Sequence, residues 1–135
     1  MKGRRPRGAK CGGFTLIELI TVVGILGILV GIALPNYRAA ILQAKEAVLK
    51  ENLFRFRDAI DQYQADKGKY PASLDSLVTD GYLRTIPKDP ITGAKDWTEV
   101  PADPDPDNPA DSPGIFDVHS ASEGTAGDGS LYKEW

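Results

Sequence analysis

An uninterrupted apolar stretch at residues 14–34 constrains this chain more than any other feature. It is 21 residues long, and Glu18 is its only charged residue. A helix of roughly 20 apolar residues is long enough to cross a lipid bilayer, so the sequence predicts a membrane-spanning helix. A carboxyl group at membrane depth costs on the order of 3 kcal/mol, so an acid at such a position indicates a function.

A basic leader, residues 1–13, precedes the apolar stretch. It carries five Lys and Arg, whereas the rest of the chain holds eleven Lys and Arg against nineteen Asp and Glu, a net charge of −8. The positive-inside rule places the leader in the cytoplasm and the acidic part outside it. No basic patch follows the leader, which argues against a nucleic-acid-binding role.

The position of Glu18 relative to Phe14 suggests what the acid does. If the chain is cut between Gly13 and Phe14, the new amine is cationic at neutral pH and lies one helical turn from Glu18. In low-dielectric surroundings, Glu18 of one subunit would attract the Phe14 amine of a neighbour and fix the register of stacked helices. The alternative is that the Glu18 side chain reaches the membrane surface and has no role.

The same residues carry a motif with several fixed spacings. It resembles the cleavage and methylation motif of type IV pilins and type II secretion pseudopilins. The matching residues are Gly13, Phe14, Thr15, Leu16, Ile17, Glu18, Leu19 and Ile20, followed by Pro35, Asn36 and Tyr37.

This resemblance implies processing, assembly and a set of partners. A prepilin peptidase would cleave between Gly13 and Phe14, and the Phe14 amine would be N-methylated. Identical subunits would then assemble into a filament through Phe14, Glu18 and Pro35. The resemblance also implies minor pseudopilins, an inner-membrane platform and an assembly ATPase as partners, with a single-pass inner-membrane location and a periplasmic C-terminal domain.

An apolar stripe at helical spacing continues beyond Pro35 and predicts one long helix. This helix is predicted to end near Lys67, because the glycine that follows, Gly68, can terminate a helix. We predict an α+β fold in which a small antiparallel sheet and loops pack on the C-terminal half of this helix. The predicted segments are the leader (1–13), the membrane helix (14–34), its amphipathic continuation (35–68) and a small globular domain (69–135). The stripe consists of Leu42, Leu49, Leu53, Phe56, Ile60 and Tyr63.

The globular segment contains weaker signals. A short helix is predicted from a cap near Ser73 to Gly81, and strands at residues 97–100 and 115–120. Alternation in the second strand would place Phe116 and Val118 on one face. A third strand is plausible but not located, and the Asp- and Pro-rich residues 101–113 form an exposed loop. Leu131 and Trp135 are expected to dock the tail.

Two features favour the secretion branch of the family over pilins for adhesion or motility. Tyr70-Pro71 followed by a leucine pair, and then Pro87-Lys88-Asp89-Pro90, resemble the major pseudopilin of type II secretion. The only cysteine, Cys11, lies in the leader, so no disulfide can form in the processed chain. A type IV pilin remains the alternative, with a membrane-anchored periplasmic binding module or enzyme as the other class.

A calcium site is implied by resemblance at the C-terminus. Residues 115–124 with Asp128 and Trp135 are similar to the region in which major pseudopilins bind calcium. The candidate ligands are Glu123, Asp128 and Asp117, and no other cofactor is required. Calcium takes about six to eight oxygens from a flexible loop. However, the family usually has Asp where this chain has Glu123, and a solvated glycine-rich tail is the alternative.

No catalytic residues are predicted. His119 is the only histidine, and its neighbour Ser120 is adjacent only in sequence, which says nothing about geometry. A zinc site lacks support, because the processed chain has no cysteine and no second histidine. The sequence therefore favours a structural filament subunit rather than an enzyme.

Overall fold

The computed structural model describes residues 12–104 and 113–135. Its elements, in chain order, are helix α1 (Leu16–Lys67), helix α2 (Leu74–Thr79), strand β1 (Thr98–Pro101), strand β2 (Ile115–His119) and a single 3-10 turn (Tyr132–Glu134). The predicted α+β class and the long N-terminal helix are confirmed. The chain divides into two compact units, one ending at Arg38 and the other spanning Ala39–Trp135.

The first unit contains the apolar part of α1. In the described part of the chain, α1 is the one helix that is long and apolar enough to cross a membrane, and none of its most apolar stretch is buried. Pro35 lies inside the helix, which continues without interruption on both sides of it. Apolar side chains that are exposed all around a helix need a lipid or protein environment to cover them.

The second unit, Ala39–Trp135, contains the hydrophobic core. Of the predicted helix stripe, five residues are buried, but Leu42 is 40% exposed and lies outside the core. The helix stripe packs against α2, β2 and the C-terminal segment. The buried apolar residues are Leu49, Leu53, Phe56, Ala59, Ile60, Tyr63, Leu74, Leu77, Ile115, Val118, Ala126 and Tyr132.

The ends of the two helices follow local rules. Gly68 directly follows α1 with a φ of 69°, a conformation that costs glycine nothing, and its N–H donates to Gln64. Ser73 caps α2 by accepting from the Ser76 N–H, and the Ser76 hydroxyl accepts from the Ser73 N–H in return. This reciprocal arrangement satisfies two amide groups at the start of the helix. Both the stop near Lys67 and the cap at Ser73 match the predictions.

The sheet differs from its prediction in two respects. Within residues 12–104 and 113–135, it has two antiparallel strands rather than three. The pairing of β1 with β2 also shifts between Val100 and Pro101, where a bulge leaves Phe116 without a partner. Because the bulge breaks the alternation, Val118 is fully buried while Phe116 is 56% exposed, so the prediction that they share a face is wrong.

Candidate functional site

The predicted processing junction lies ahead of the helix. Gly13 and Phe14 are both exposed, and neither belongs to a regular element. Phe14 is 86% exposed, more than any other large apolar side chain in the described residues. The peptide bond between them therefore does not require a helix to unwind before a peptidase can reach it.

Glu18 lies in the first turn of α1, and Thr15 caps that turn. The Glu18 N–H lies 3.3 Å from Thr15 Oγ1, the arrangement of an N-cap residue with the third helical position. An acid at this position also interacts favourably with the helix dipole. The spacing Thr-x-x-Glu is a capping-box signal, so this local role is encoded in the sequence, although the predictions above did not include it.

Pro35, the third predicted assembly residue, lies well inside α1. Proline has no N–H, so the helix lacks one hydrogen bond, the one that would reach back to the Gly31 carbonyl. The structure thus places Glu18 and Pro35 on one continuous helix. Their roles in assembly remain predictions.

A polar cluster joins α1, β2 and the end of the chain. Arg57 Nε donates to Asp117 Oδ1 at 2.7 Å, and Arg57 Nη2 donates to the main-chain oxygen of Trp135 at 2.8 Å. His119 Nδ1 lies 2.5 Å from the same Trp135 oxygen. Although partial burial alone would raise it, the pKa of Asp117 is lowered by the hydrogen bonds from Arg57 and the Val118 N–H. The cluster holds the C-terminus against α1.

Three turns earlier on the helix, Glu46 holds the same segment. Its Oε1 accepts from the Gly127 N–H at 2.8 Å and from the Tyr132 hydroxyl at 2.9 Å. Burial is the larger cause that raises the pKa of Tyr132, and the hydrogen bond to Glu46 raises it further. Tyr132 is 3% exposed and anchors the tail more deeply than Leu131, the residue that the sequence favoured beside Trp135. Sequence alone gives no signal that pairs Glu46 with a residue 86 positions away.

A buried carboxyl group organises the loop before β1. Asp89 is fully buried, and its Oδ1 accepts from the N–H groups of Ile91 and Thr92. The hydroxyl of Ser120, itself 1% exposed, donates to Asp89 Oδ2. This group ties the loop to the end of β2. The sequence predicts a turn at Asp89-Pro90 but carries no signal for this long-range contact.

The three candidate calcium ligands do not form a preorganised site. Within the described residues, no group of three or more His, Cys, Asp or Glu side chains could hold a metal ion. Asp117 is engaged by Arg57, so it fits a calcium site poorly. Asp128 accepts at Oδ1 from both the N–H and the hydroxyl of Ser130, and these bonds lower its pKa. Glu123 is exposed on the same loop.

The comparisons with known proteins agree with the motif at the N-terminus. Residues 8–34 match the family described as the prokaryotic N-terminal methylation motif. No solved structure matches the chain.

Curated relatives extend the similarity into the globular part. The type II secretion system core protein G of Klebsiella michiganensis is 31% identical over 60% of this chain and 68% of its own length. The protein of the same name from Pseudomonas aeruginosa is 37% identical, with coverages of 58% and 66%, and that of Vibrio cholerae is 33% identical, with 58% and 64%. The chain thus spans about two thirds of the length of these relatives. It belongs to the family of type II secretion system core protein G, the major pseudopilins.

Proposed function

We propose that this chain is the structural subunit of a helical pseudopilus that drives protein export by a type II secretion system. The observation that carries the proposal is the combination of family membership with an apolar helix that is exposed on all sides in the single chain. Such a surface is stable only in lipid or against other copies, and a filament subunit exchanges one for the other. The proposed role is structural, without catalysis.

The proposed processing and assembly steps both depend on residues near the start of the chain. Prepilin peptidase cleaves between Gly13 and Phe14, and the Phe14 amine is methylated. Glu18 then pairs with the Phe14 amine of a neighbouring subunit. Support comes from the methylation motif across residues 8–34 and from the position of Glu18 in the first turn of an exposed helix. Because both charges are costly in an apolar medium when unpaired, only one axial alignment satisfies them.

One apolar helix behind a prepilin-like motif fits a single-pass anchor in the inner membrane. We place the unit Ala39–Trp135 on the periplasmic side, because the basic leader favours the cytoplasm. The partners would be prepilin peptidase, identical subunits, minor pseudopilins, the inner-membrane platform and the assembly ATPase.

The mass of the native protein tests the processing step. We expect mass spectrometry to show a chain that begins at methylated Phe14. Gly13→Leu should retain residues 1–13, because a bulky side chain replaces glycine at the cleaved bond, whereas the neighbouring Gly12→Ala should be processed normally. A native chain that keeps its leader in cells with an active prepilin peptidase would contradict the proposal.

Structural calcium in the C-terminal loop is a separate part of the proposal. Glu123 and Asp128 would supply carboxylate oxygens, and backbone carbonyls the remainder. The tail around these residues is already held to α1 through Glu46, so an ion there would tighten an existing contact. Its expected effect is on stability alone.

Calcium should therefore raise the melting temperature of a soluble fragment, residues 39–135, which contains the whole core. At a calcium concentration roughly 100-fold above the dissociation constant, binding stabilises the fold by about 2.7 kcal/mol. Asp128→Asn should remove the calcium response, and the exposed helix variant Asp61→Asn should keep it. Identical melting curves with calcium and with chelator would exclude the ion.

A further inference from the structure

A pocket in the second unit is lined by none of the predicted assembly residues. It lies between α1 and the loop that joins α2 to β1, and its volume is about 410 Å³. A cavity of about 150 Å³ already holds a benzene molecule, so this pocket has room for an aromatic side chain. We call this site the loop pocket; its lining includes Asn52, Phe56, Leu83, Arg84, Thr85 and Pro87.

The α1 side of the loop pocket offers an unused polar group. Asn52 is only 7% exposed, and in the described part of the chain its side-chain amide makes no hydrogen bond. Because no polar side-chain atom within those residues is completely enclosed without a partner, the Asn52 amide faces the open space of the pocket. A buried amide without a partner is unfavourable, so the pocket suits an occupant that the amide can contact.

The opposite side of α1 carries a side chain that suits such a pocket. Phe54 is 66% exposed, although it belongs to a unit that has a hydrophobic core of its own. It follows Asn52 by two residues, so at about 100° per residue the two side chains leave the helix about 160° apart. Phe54 therefore cannot enter the loop pocket of its own chain. A large exposed aromatic side chain of this kind indicates a contact with another molecule.

Phe54 fits the loop pocket better than the other exposed apolar side chains in the described part of the second unit. Phe116 already packs against Tyr70, with the ring centroids 5.8 Å apart. The others are aliphatic, whereas the face of an aromatic ring accepts a weak N–H···π contact from an amide such as that of Asn52. These aliphatic side chains are Ile41, Leu42 and Val48.

The charges beside the two sites are of opposite sign. Asp61 lies two turns beyond Phe54 on the same side of α1, and Arg84 belongs to the lining of the loop pocket. Both are exposed, and within the residues that the structure describes neither forms an ion pair. The cations nearest Phe54 on that side, Lys50 and Arg57, are already engaged within the chain. The two surfaces are therefore complementary in charge as well as in shape.

We infer that Phe54 of one subunit inserts into the loop pocket of a neighbouring copy. Because the inserted side chain and the pocket lie on opposite sides of α1, each copy fills one neighbour and is filled by another. Such a heterologous contact continues from subunit to subunit instead of closing into a symmetric dimer. The inference rests on the proposed function, since a filament supplies the neighbouring copies. It adds a contact between the second units to the contact between the apolar helices.

Disulfide trapping in filaments tests this contact. In a Cys11→Ser background, the sequence has no other cysteine. One chain carries both Phe54→Cys and Thr85→Cys, the latter at an exposed position of the pocket lining. It is co-expressed with an equal amount of the Cys11→Ser parent, which keeps the filaments assembled. After mild oxidation, we expect covalent dimers and longer oligomers in which mass spectrometry links the peptides around positions 54 and 85.

The matched control replaces Phe54→Cys with Phe116→Cys. Phe116 is 56% exposed, similar to Phe54, but it lies on β2 and packs against Tyr70. We expect severalfold fewer covalent oligomers with this control, because the Phe116 side chain is not the one that enters the pocket.

A second measurement uses no cysteine. Phe54→Ala should lower the amount of sedimented filament severalfold, whereas Phe54→Tyr, which keeps an aromatic ring, should retain most of it. Neither change should alter the melting temperature of residues 39–135, because Phe54 lies outside the core. This comparison separates a contact between copies from an effect on folding.

Three results would overturn the inference. They are equal yields for the two phenylalanine positions, links only between two copies of position 54, and Phe54→Ala filaments as abundant as those of the parent. If the Cys11→Ser parent itself forms no filament, the proposed function fails instead, so the two failures can be told apart.

Discussion

Glu18→Gln is expected to abolish incorporation of the chain into filaments while cleavage after Gly13 continues. Glutamine has nearly the same shape as glutamate, and the group that donates to Thr15 is the main-chain N–H of residue 18, so the cap of α1 at Thr15 is retained. What is lost is the negative charge that pairs with the Phe14 amine of the neighbour. Leaving one member of a buried ion pair alone costs about 3–5 kcal/mol, which corresponds to a more than hundredfold loss of incorporation.

The measurement compares the variant in sheared or sedimented filaments with the variant in the membrane fraction, and mass spectrometry confirms its processed N-terminus. Thr15→Val is the matched control, because it removes the capping hydroxyl and keeps the charge at Glu18. We expect this control to assemble. If Glu18→Gln enters filaments as well as the parent does, the acid acts through helix capping or not at all, and the account of register is wrong.

The structural features that the sequence predicted correctly depend only on residues that are close together along the chain. The membrane segment needs only a count of apolar residues, and the end of α1 needs only Gly68 at the position of a helix stop. The cap of α2 is likewise contained in the short stretch that begins at Ser73. The two helix-end signals depend on backbone geometry within one or two turns, and the membrane segment depends on composition, so no knowledge of the tertiary structure is required.

The sequence did not predict the contacts between residues that are far apart along the chain. Arg57 is one of several cations on α1, and nothing local distinguishes it as the partner of Asp117, 60 positions away. The bulge at Phe116 is a second example, because alternation assumes that every residue of a strand is paired. Both outcomes are decided by how the strand packs on the helix, which a pattern of residue types does not contain.

Asp89 has both a local role that the sequence predicts and a long-range contact that it does not. Asp89-Pro90 is a local turn signal, and the side chain does accept from the N–H groups two and three residues later, as aspartate does in turns. Its complete burial and its bond to Ser120, 31 positions away, come only from the tertiary fold. A residue that reads as a surface turn is thus a buried connection between the loop and β2.

Asp89→Ala should therefore be among the most destabilising single changes in the second unit. The substitution leaves the partly buried Ile91 N–H and the buried Ser120 hydroxyl without an acceptor, and unsatisfied buried groups cost about 1–3 kcal/mol each. A total of about 3–5 kcal/mol would lower the melting temperature of residues 39–135 by roughly 12–40 °C, at about 4–8 °C per kcal/mol.

Comparing Asp89→Asn with Asp89→Ala distinguishes the loss of the negative charge from the loss of the hydrogen bonds. Asparagine keeps the oxygen that accepts from Ile91, and its NH₂ group can donate to the Ser120 hydroxyl, which reverses that bond without breaking it. We expect a loss of about 1–2 kcal/mol, between the parent and Asp89→Ala. Urea unfolding of the three proteins at pH 7 measures the order directly. If Asp89→Ala is as stable as the parent, the Asp89 contacts do not hold the loop to β2, and the core alone maintains the fold.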